Sequence, residues 1–277
     1  MKKILCPTDF SKASLNAFVY AVNLAKRVGA EIVTIHVYDL PAAIIDASLE
    51  NLSEIRDITE WDHFEQYKSA IAKLRVIAEE NHASHLTLTH ILEQGNTVDT
   101  VLQAAANNHA DLIIMGTHGA SGVTEALFGS NTEKIMNRAN CRVLAIPAAC
   151  GYSPLSRILF LSRYEERDKA TLRELLAFAA LFHARIDVLY ITARHTDDEA
   201  DTIREWKRIF SGDAVDFYTI ASDSPEETIL DFSEVHHSNL IALTVRHKGL
   251  LERLFLYSVA RKMVFHSVLP VLSVSHR

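Results

Sequence analysis

Two stretches of this 277-residue chain follow one plan, and that internal repeat limits the fold more than any other feature. Lys3-Ile4-Leu5 corresponds to Arg157-Ile158-Leu159. At the same offset, Ala30-Glu31-Ile32-Val33 through Ile35-His36-Val37 corresponds to Ala184-Arg185-Ile186-Asp187 through Leu189-Tyr190-Ile191. Further along, Asp111-Leu112-Ile113-Ile114-Met115 corresponds to Asn239-Leu240-Ile241-Ala242-Leu243, and Arg142 to Ile146 corresponds to Leu269 to Val274. The match lies in pattern more than in identity. Ala148-Ala149-Cys150-Gly151-Tyr152-Ser153-Pro154 is a small-residue segment with Gly and Pro, as suits a short linker. Two domains are therefore expected, residues 1–148 and 154–277, and 48% hydrophobic residues supply two packed cores.

Within the first half, Ile4 to Cys6 reads as a buried strand, and Ser11 caps a helix that Gly29 ends. Glu31 to Val37 is a second strand, Ser53 to Asn81 a long amphipathic helix, and His85 to Leu92 a third strand. A helix from Val98, a strand at Leu112 to Met115, a helix from Asn131 and a strand at Val143 to Ile146 follow. Short apolar strands alternating with helices imply parallel pairing with both faces covered. The expected class is α/β: two Rossmann-like domains, each an open five-stranded parallel sheet flanked by helices.

The formal charge of -7 removes the basic field that nucleic-acid binding uses. The three cysteines, Cys6, Cys141 and Cys150, are odd in number and form no CxxC pair, so reduced thiols are expected rather than a disulfide framework or a zinc site. The apolar run before Pro7 is too short for a signal-peptide core, and no stretch reaches membrane-spanning length. A soluble, cytoplasmic protein is expected.

In sheets of this kind ligands bind at the carboxyl ends of strands, where loops lead into helix N-termini. Two loops of the first half fit. One is Gly116-Thr117-His118-Gly119, followed nine residues later by Gly129-Ser130 and the helix at Asn131. Glycines allow positive φ and close approach to an anion, Ser130 adds a hydroxyl, and the helix adds its positive dipole end. The other is Cys6-Pro7-Thr8-Asp9-Phe10-Ser11, whose Asp9 suits a ribose hydroxyl or a divalent cation. Single glycines serve tight turns as readily as ligands; the joint spacing is what carries information.

That spacing, G-x2-G-x9-G-[ST], stands complete as Gly116, Gly119, Gly129 and Ser130, and it resembles the nucleotide signature of the ATP-binding universal stress proteins. The segments KILCPTDFSKAS, IHVYD and RVLAIP also resemble that family's first strand and loop, second-strand end and closing strand. The resemblance implies ATP, with magnesium, as the ligand and a regulatory role in a stress response. It implies that Pro7, Thr8, Asp9 and Val37 flank adenine and ribose, that Met115 and Gly116 line the nucleotide, and that Gly119, Gly129, Ser130 and Asn131 surround the phosphates; His118, by its place inside the glycine loop, suits either a phosphate or a solvent-facing position. It further implies that Val143–Ile146 and Val271–Val274 meet inside the chain as a pseudo-dimer. A homodimer of chains and an unidentified protein partner stay open.

The second half departs from the signature. Thr244, His247 and Tyr257 stand where the first half has Gly116, Gly119 and Gly129, and Arg163 replaces Asp9; only Ser258 is kept. Nucleotide binding in the same manner is not expected there, although Arg163, Arg246, His247 and Lys248 form a cationic edge. Among the 14 histidines, the adjacent His236 and His237 point apart on a helix and are not expected to share a metal. Asp57 to Glu65, around Trp61, reads as a solvated helix face. No GxxxxGK[ST] motif and no nucleophile with an evident base is present, so no catalytic residue is assigned. Two other readings remain: a weak ATPase or phosphotransfer enzyme using Ser130 or Thr132, and a scaffold that binds no nucleotide.

Overall fold

Strand and helix alternate along the computed structural model, which describes residues 1–38, 52–117, 130–192, 197–245 and 269–275. The first half comprises β1 (Lys3–Pro7), α1 (Lys12–Val28), β2 (Glu31–Tyr38), α2 (Leu52–Glu80), β3 (Leu88–Gln94), α3 (Thr97–Asn107), β4 (Leu112–Gly116), α4 (Ser130–Arg138) and β5 (Arg142–Ile146). The second comprises β6 (Arg157–Leu161), α5 (Glu166–Ala180), β7 (Arg185–Thr192), α6 (Asp197–Ile209), β8 (Val215–Ala221), α7 (Pro225–Val235), β9 (Leu240–Thr244) and β10 (Val271–Val274).

All ten strands form one sheet in the order β3-β2-β1-β4-β5-β10-β9-β6-β7-β8. Neighbours within each half are parallel. The halves meet where β5 and β10 pair antiparallel, with Val271 opposite Ala145, Leu272 opposite Leu144 and Ser273 opposite Val143. Each strand thereby covers the edge that the other would expose. The apolar alternation of the strands feeds two cores. Ile4, Ile32, Leu112, Leu144, Phe160 and Leu272 lie on one face with α1, α2 and α5, while Leu5, Val33, Ile113, Val143, Leu159 and Val271 lie on the other with α3, α4 and α7. Both cores run across the seam between halves.

Local chemistry sets the helix ends. The Ser11 side chain accepts the Ser14 amide to cap α1, which ends in Gly29 at φ 68°. Asn96 caps α3 through the amides of Val98 and Asp99. Where the second half repeats the Gly29 turn, His183 adopts φ 57°, a left-handed conformation that costs a residue with a Cβ about 1 kcal/mol. The third strand begins three residues later than expected. Ala83 to Leu86 form a turn, with the Leu86 amide on the Ala83 carbonyl at 3.0 Å, so His85 lies outside the ladder.

Candidate functional site

The sheet order reverses between β1, which is followed by β2 on one side, and β4 on the other, so the βα loops there diverge and open a crevice at the carboxyl ends of the strands. It is a cleft of about 250 Å³. Pro7, Thr8 and Asp9 enter it from β1, Val37 from β2, Met115 and Gly116 from β4, and Ser130 and Asn131 from the first turn of α4. These eight expected residues come together at one place. His118, Gly119 and Gly129 lie outside the described residues. Thr132, named with Ser130 for a phosphotransfer reading, also lines it, and Ser14, Ile35, Thr97 and Val101, which the sequence reading did not single out, complete the lining. Thr97 could have been found, since it follows the capping Asn96 straight after β3 at the same sheet edge.

The loop after β1 is held by its own polar groups. The Thr8 amide continues the β1–β2 ladder to the Ile35 carbonyl at 2.8 Å. Thr8 Oγ1 accepts the Phe10 amide at 3.1 Å and donates to Ser14 Oγ at 3.3 Å. Asp9 Oδ1 accepts the Ser11 amide at 3.0 Å, and Phe10 takes φ 58°. Asp9 is exposed at the mouth of the cleft, whereas Thr8 is buried.

Gly116 meets a different demand from the one expected of it. Its φ is not positive; a Cβ there would lie 2.8 Å from the Ala13 carbonyl carbon and 2.9 Å from Ala13 Cβ. The glycine is required because β4 ends against the backbone of α1. Thr132 Oγ1 then donates to the Gly116 carbonyl at 3.0 Å, fixing the first turn of α4 beside it. The result is an apolar slot of Ile35, Val37, Val101 and Met115 leading to Asp9 and to the amino end of a nine-residue helix. Such a slot suits a flat, apolar-faced ring, and the helix end suits an anion.

The corresponding place in the second half holds a buried carboxylate. Asp168, which stands where the first half has Ser14, is buried, and its Oδ2 accepts Ser162 Oγ at 3.0 Å and the amides of Arg163 at 2.9 Å and Glu165 at 3.4 Å. Thr244, in the place of Gly116, donates to Asp168 Oδ1 at 2.9 Å and shares a 2.9 Å bond with Thr171. Loop, helix and strand are thus tied together by side chains where the first half leaves a cleft. His247, Tyr257, Ser258, Arg246 and Lys248 lie outside the described residues.

Elsewhere, β7 carries a fully buried Asp187 where β2 has Val33, paired to Arg157 Nε at 2.8 Å, with His236 Nδ1 at 3.6 Å. Burial pushes the Asp187 carboxyl up, against the opposing influence of Arg157 and His236. His236 ends α7, and His237 follows it at φ 54°, so the two are not successive helical positions. Among the described residues no group of three or more His, Cys, Asp or Glu side chains is placed to hold a metal ion, and no helix is long and apolar enough to cross a membrane. The side chains at 57–63 lie outside the described residues.

A doubly wound parallel α/β sheet with a cleft at its switch point defines the class of the molecule. Residues 1–147 match the model of the universal stress protein family, and the chain belongs to that family. A universal stress protein of Methanocaldococcus jannaschii is 34% identical over 148 residues, covering 52% of this chain and 81% of the relative. A second from the same organism is 28% identical over 160 residues, covering 52% and 94%. A solved universal stress protein from Archaeoglobus fulgidus superposes over 99% of this chain and 96% of its own at TM-score 0.69, with 19% identity, a likeness of fold.

Proposed function

We propose that residues 1–148 bind an adenine nucleotide, ATP with magnesium, in the cleft between β1 and β4, and that residues 154–277 form a second domain that binds none in this way. The observation that carries the reading is the make-up of the cleft: an apolar slot for the base, Asp9 at its mouth for the ribose or cation, and the N-terminus of α4 for phosphate. Binding of the nucleotide is read as a signal. Ligand stabilises the conformation that holds it and shifts its population by mass action, which lets nucleotide level bias contacts with other proteins. In the second half, Asp168 and Thr244 stand where the first half has Ser14 and Gly116, and each adds bulk there.

The test is calorimetric titration with Mg-ATP of the chain and of Val37→Trp, a change at a half-buried position that fills the slot. The proposal expects one site on the unaltered chain and at least tenfold weaker binding by the variant, about 1.4 kcal/mol, at unchanged thermal stability. Equal binding by both would place the nucleotide elsewhere.

A further inference from the structure

We infer that His36 is a positioning residue of the cleft, holding the Thr8 carbonyl and through it the loop that presents Asp9; the inference rests on the nucleotide reading above. Alternation along β2 sends Ile35 and Val37 into the cleft and His36 to the opposite face of the sheet. From there His36 Nδ1 reaches back to the Thr8 carbonyl at 2.7 Å. A carbonyl oxygen only accepts, so Nδ1 carries the proton and the neutral ring is the Nδ1–H tautomer.

The ring has little freedom to leave this bond. Tyr67, a buried residue of α2, stacks on it at 5.8 Å and 15°, and Phe10 packs on it at 5.4 Å. Phe10 and Tyr67 also touch each other, at 5.8 Å between centroids. Phe10 holds φ 58°, a conformation that persists only where the surroundings impose it. The Thr8 amide, carbonyl and hydroxyl are then all engaged, by Ile35, His36, Phe10 and Ser14, and Asp9 is the next residue along the chain.

The second half shows what replaces this device. Tyr190 stands where β2 has His36, and it meets Tyr164, the counterpart of Phe10, edge to face at 5.5 Å. A phenol hydroxyl lies farther from its backbone than an imidazole Nδ1. The loop there is gathered instead by Asp168, whose carboxylate takes up the Arg163 and Glu165 amides. The first half adds an imidazole behind its loop; the second adds a carboxylate within its own.

The experiment has two arms. Nitrogen NMR of the ligand-free chain reads the tautomer of His36, and amide exchange at Phe10 and Ser11 is compared among the unaltered chain, His36→Phe and His36→Asn. His36→Phe keeps the ring stack without a donor, whereas His36→Asn puts an amide N–H near the Nδ1 position. We expect the Nδ1–H tautomer, about tenfold faster exchange in His36→Phe and recovery in His36→Asn. In the second arm, Mg-ATP binding weakens about tenfold in His36→Phe and within about threefold in His36→Asn. An Nε2–H tautomer, or unchanged exchange in His36→Phe, overturns the inference, as does unchanged affinity in a chain that binds Mg-ATP. If the unaltered chain binds no Mg-ATP, the nucleotide reading fails, while the tautomer and exchange results still decide the role of His36.

Discussion

Asp111 and Asn239 occupy equivalent places and perform one task with different charge. Asp111 Oδ2 accepts the amides of Lys2 at 2.6 Å and Lys3 at 3.1 Å, and Asn239 Oδ1 accepts those of Ser156 at 3.3 Å and Arg157 at 3.2 Å, each clipping the first strand of its half to the start of the fourth. Burial pushes the Asp111 carboxyl up, but the Lys2 and Lys3 amides, helped by Arg142, outweigh it and hold it below its ordinary 3.8. A carboxyl that is more acidic when folded contributes stability above pH 3.8 and loses it as pH falls through the folded value. Asn239 does not titrate. Asp111→Asn should therefore be less stable than the parent at neutral pH in urea denaturation, with the gap closing below pH 3.8; a gap independent of pH would refute the assignment. Asp187 has the opposite sign, since its raised carboxyl favours the fold at low pH and loses that contribution as pH rises through the folded value. At this scale the sequence was partly legible. The Asp111–Asn239 correspondence was visible in the repeat, but the roles of Asp187, in the place of Val33, and Asp168, in the place of Ser14, were not, because their partners lie on other elements.

The order of strands and helices in the first half was legible because each strand is a short apolar run bounded by a cap or a glycine, as at Ser11, Gly29 and Asn96. What sequence periodicity did not convey was which helix lies over which strand. Thr97 and Val101 line the cleft because β3 lies beyond β2, so that the crossover to β4 lays α3 over β2 and β1 and beside α4. The same limit hid the reason for Gly116, which is its contact with α1 and not its own backbone angle. Gly116→Ala would force β4 and α1 apart at a contact of 2.8 Å, and overpacking of this kind costs about 1–3 kcal/mol. Urea denaturation should show that loss, together with weaker Mg-ATP binding as the cleft deforms. Unaltered stability would mean that α1 yields freely, contrary to the packing of Ala13, Ala17 and Ala21 in its buried face.

The molecule as a whole is one sheet with two unequal ends. The seam is continuous, with β5 on β10 and shared cores on both faces, so the halves are packed as one body there, and the first half carries a cleft between its first and fourth strands. The linker is also drawn onto the first half: Asn16 donates to the Pro147 carbonyl at 3.0 Å and the Cys150 carbonyl at 2.7 Å, and the Tyr20 hydroxyl donates to the Gly151 carbonyl at 2.8 Å. Both contacts come from α1, whose first turn borders the cleft through Ser14. The repeat made the repeated strand pattern readable, and of the second half's departures from the glycine signature Thr244, in the place of Gly116, falls on a described residue. How the second half ties its first loop to its fourth strand required the positions of Ser162, Asp168 and Thr244 together. The most direct measurement is amide hydrogen exchange of the intact chain with and without Mg-ATP. The account predicts added protection at Thr8–Ser11, Met115–Gly116 and Ser130–Thr132, with none at Ser162–Glu165 or Thr244. Equal protection in both halves, or protection confined to the second, would contradict it.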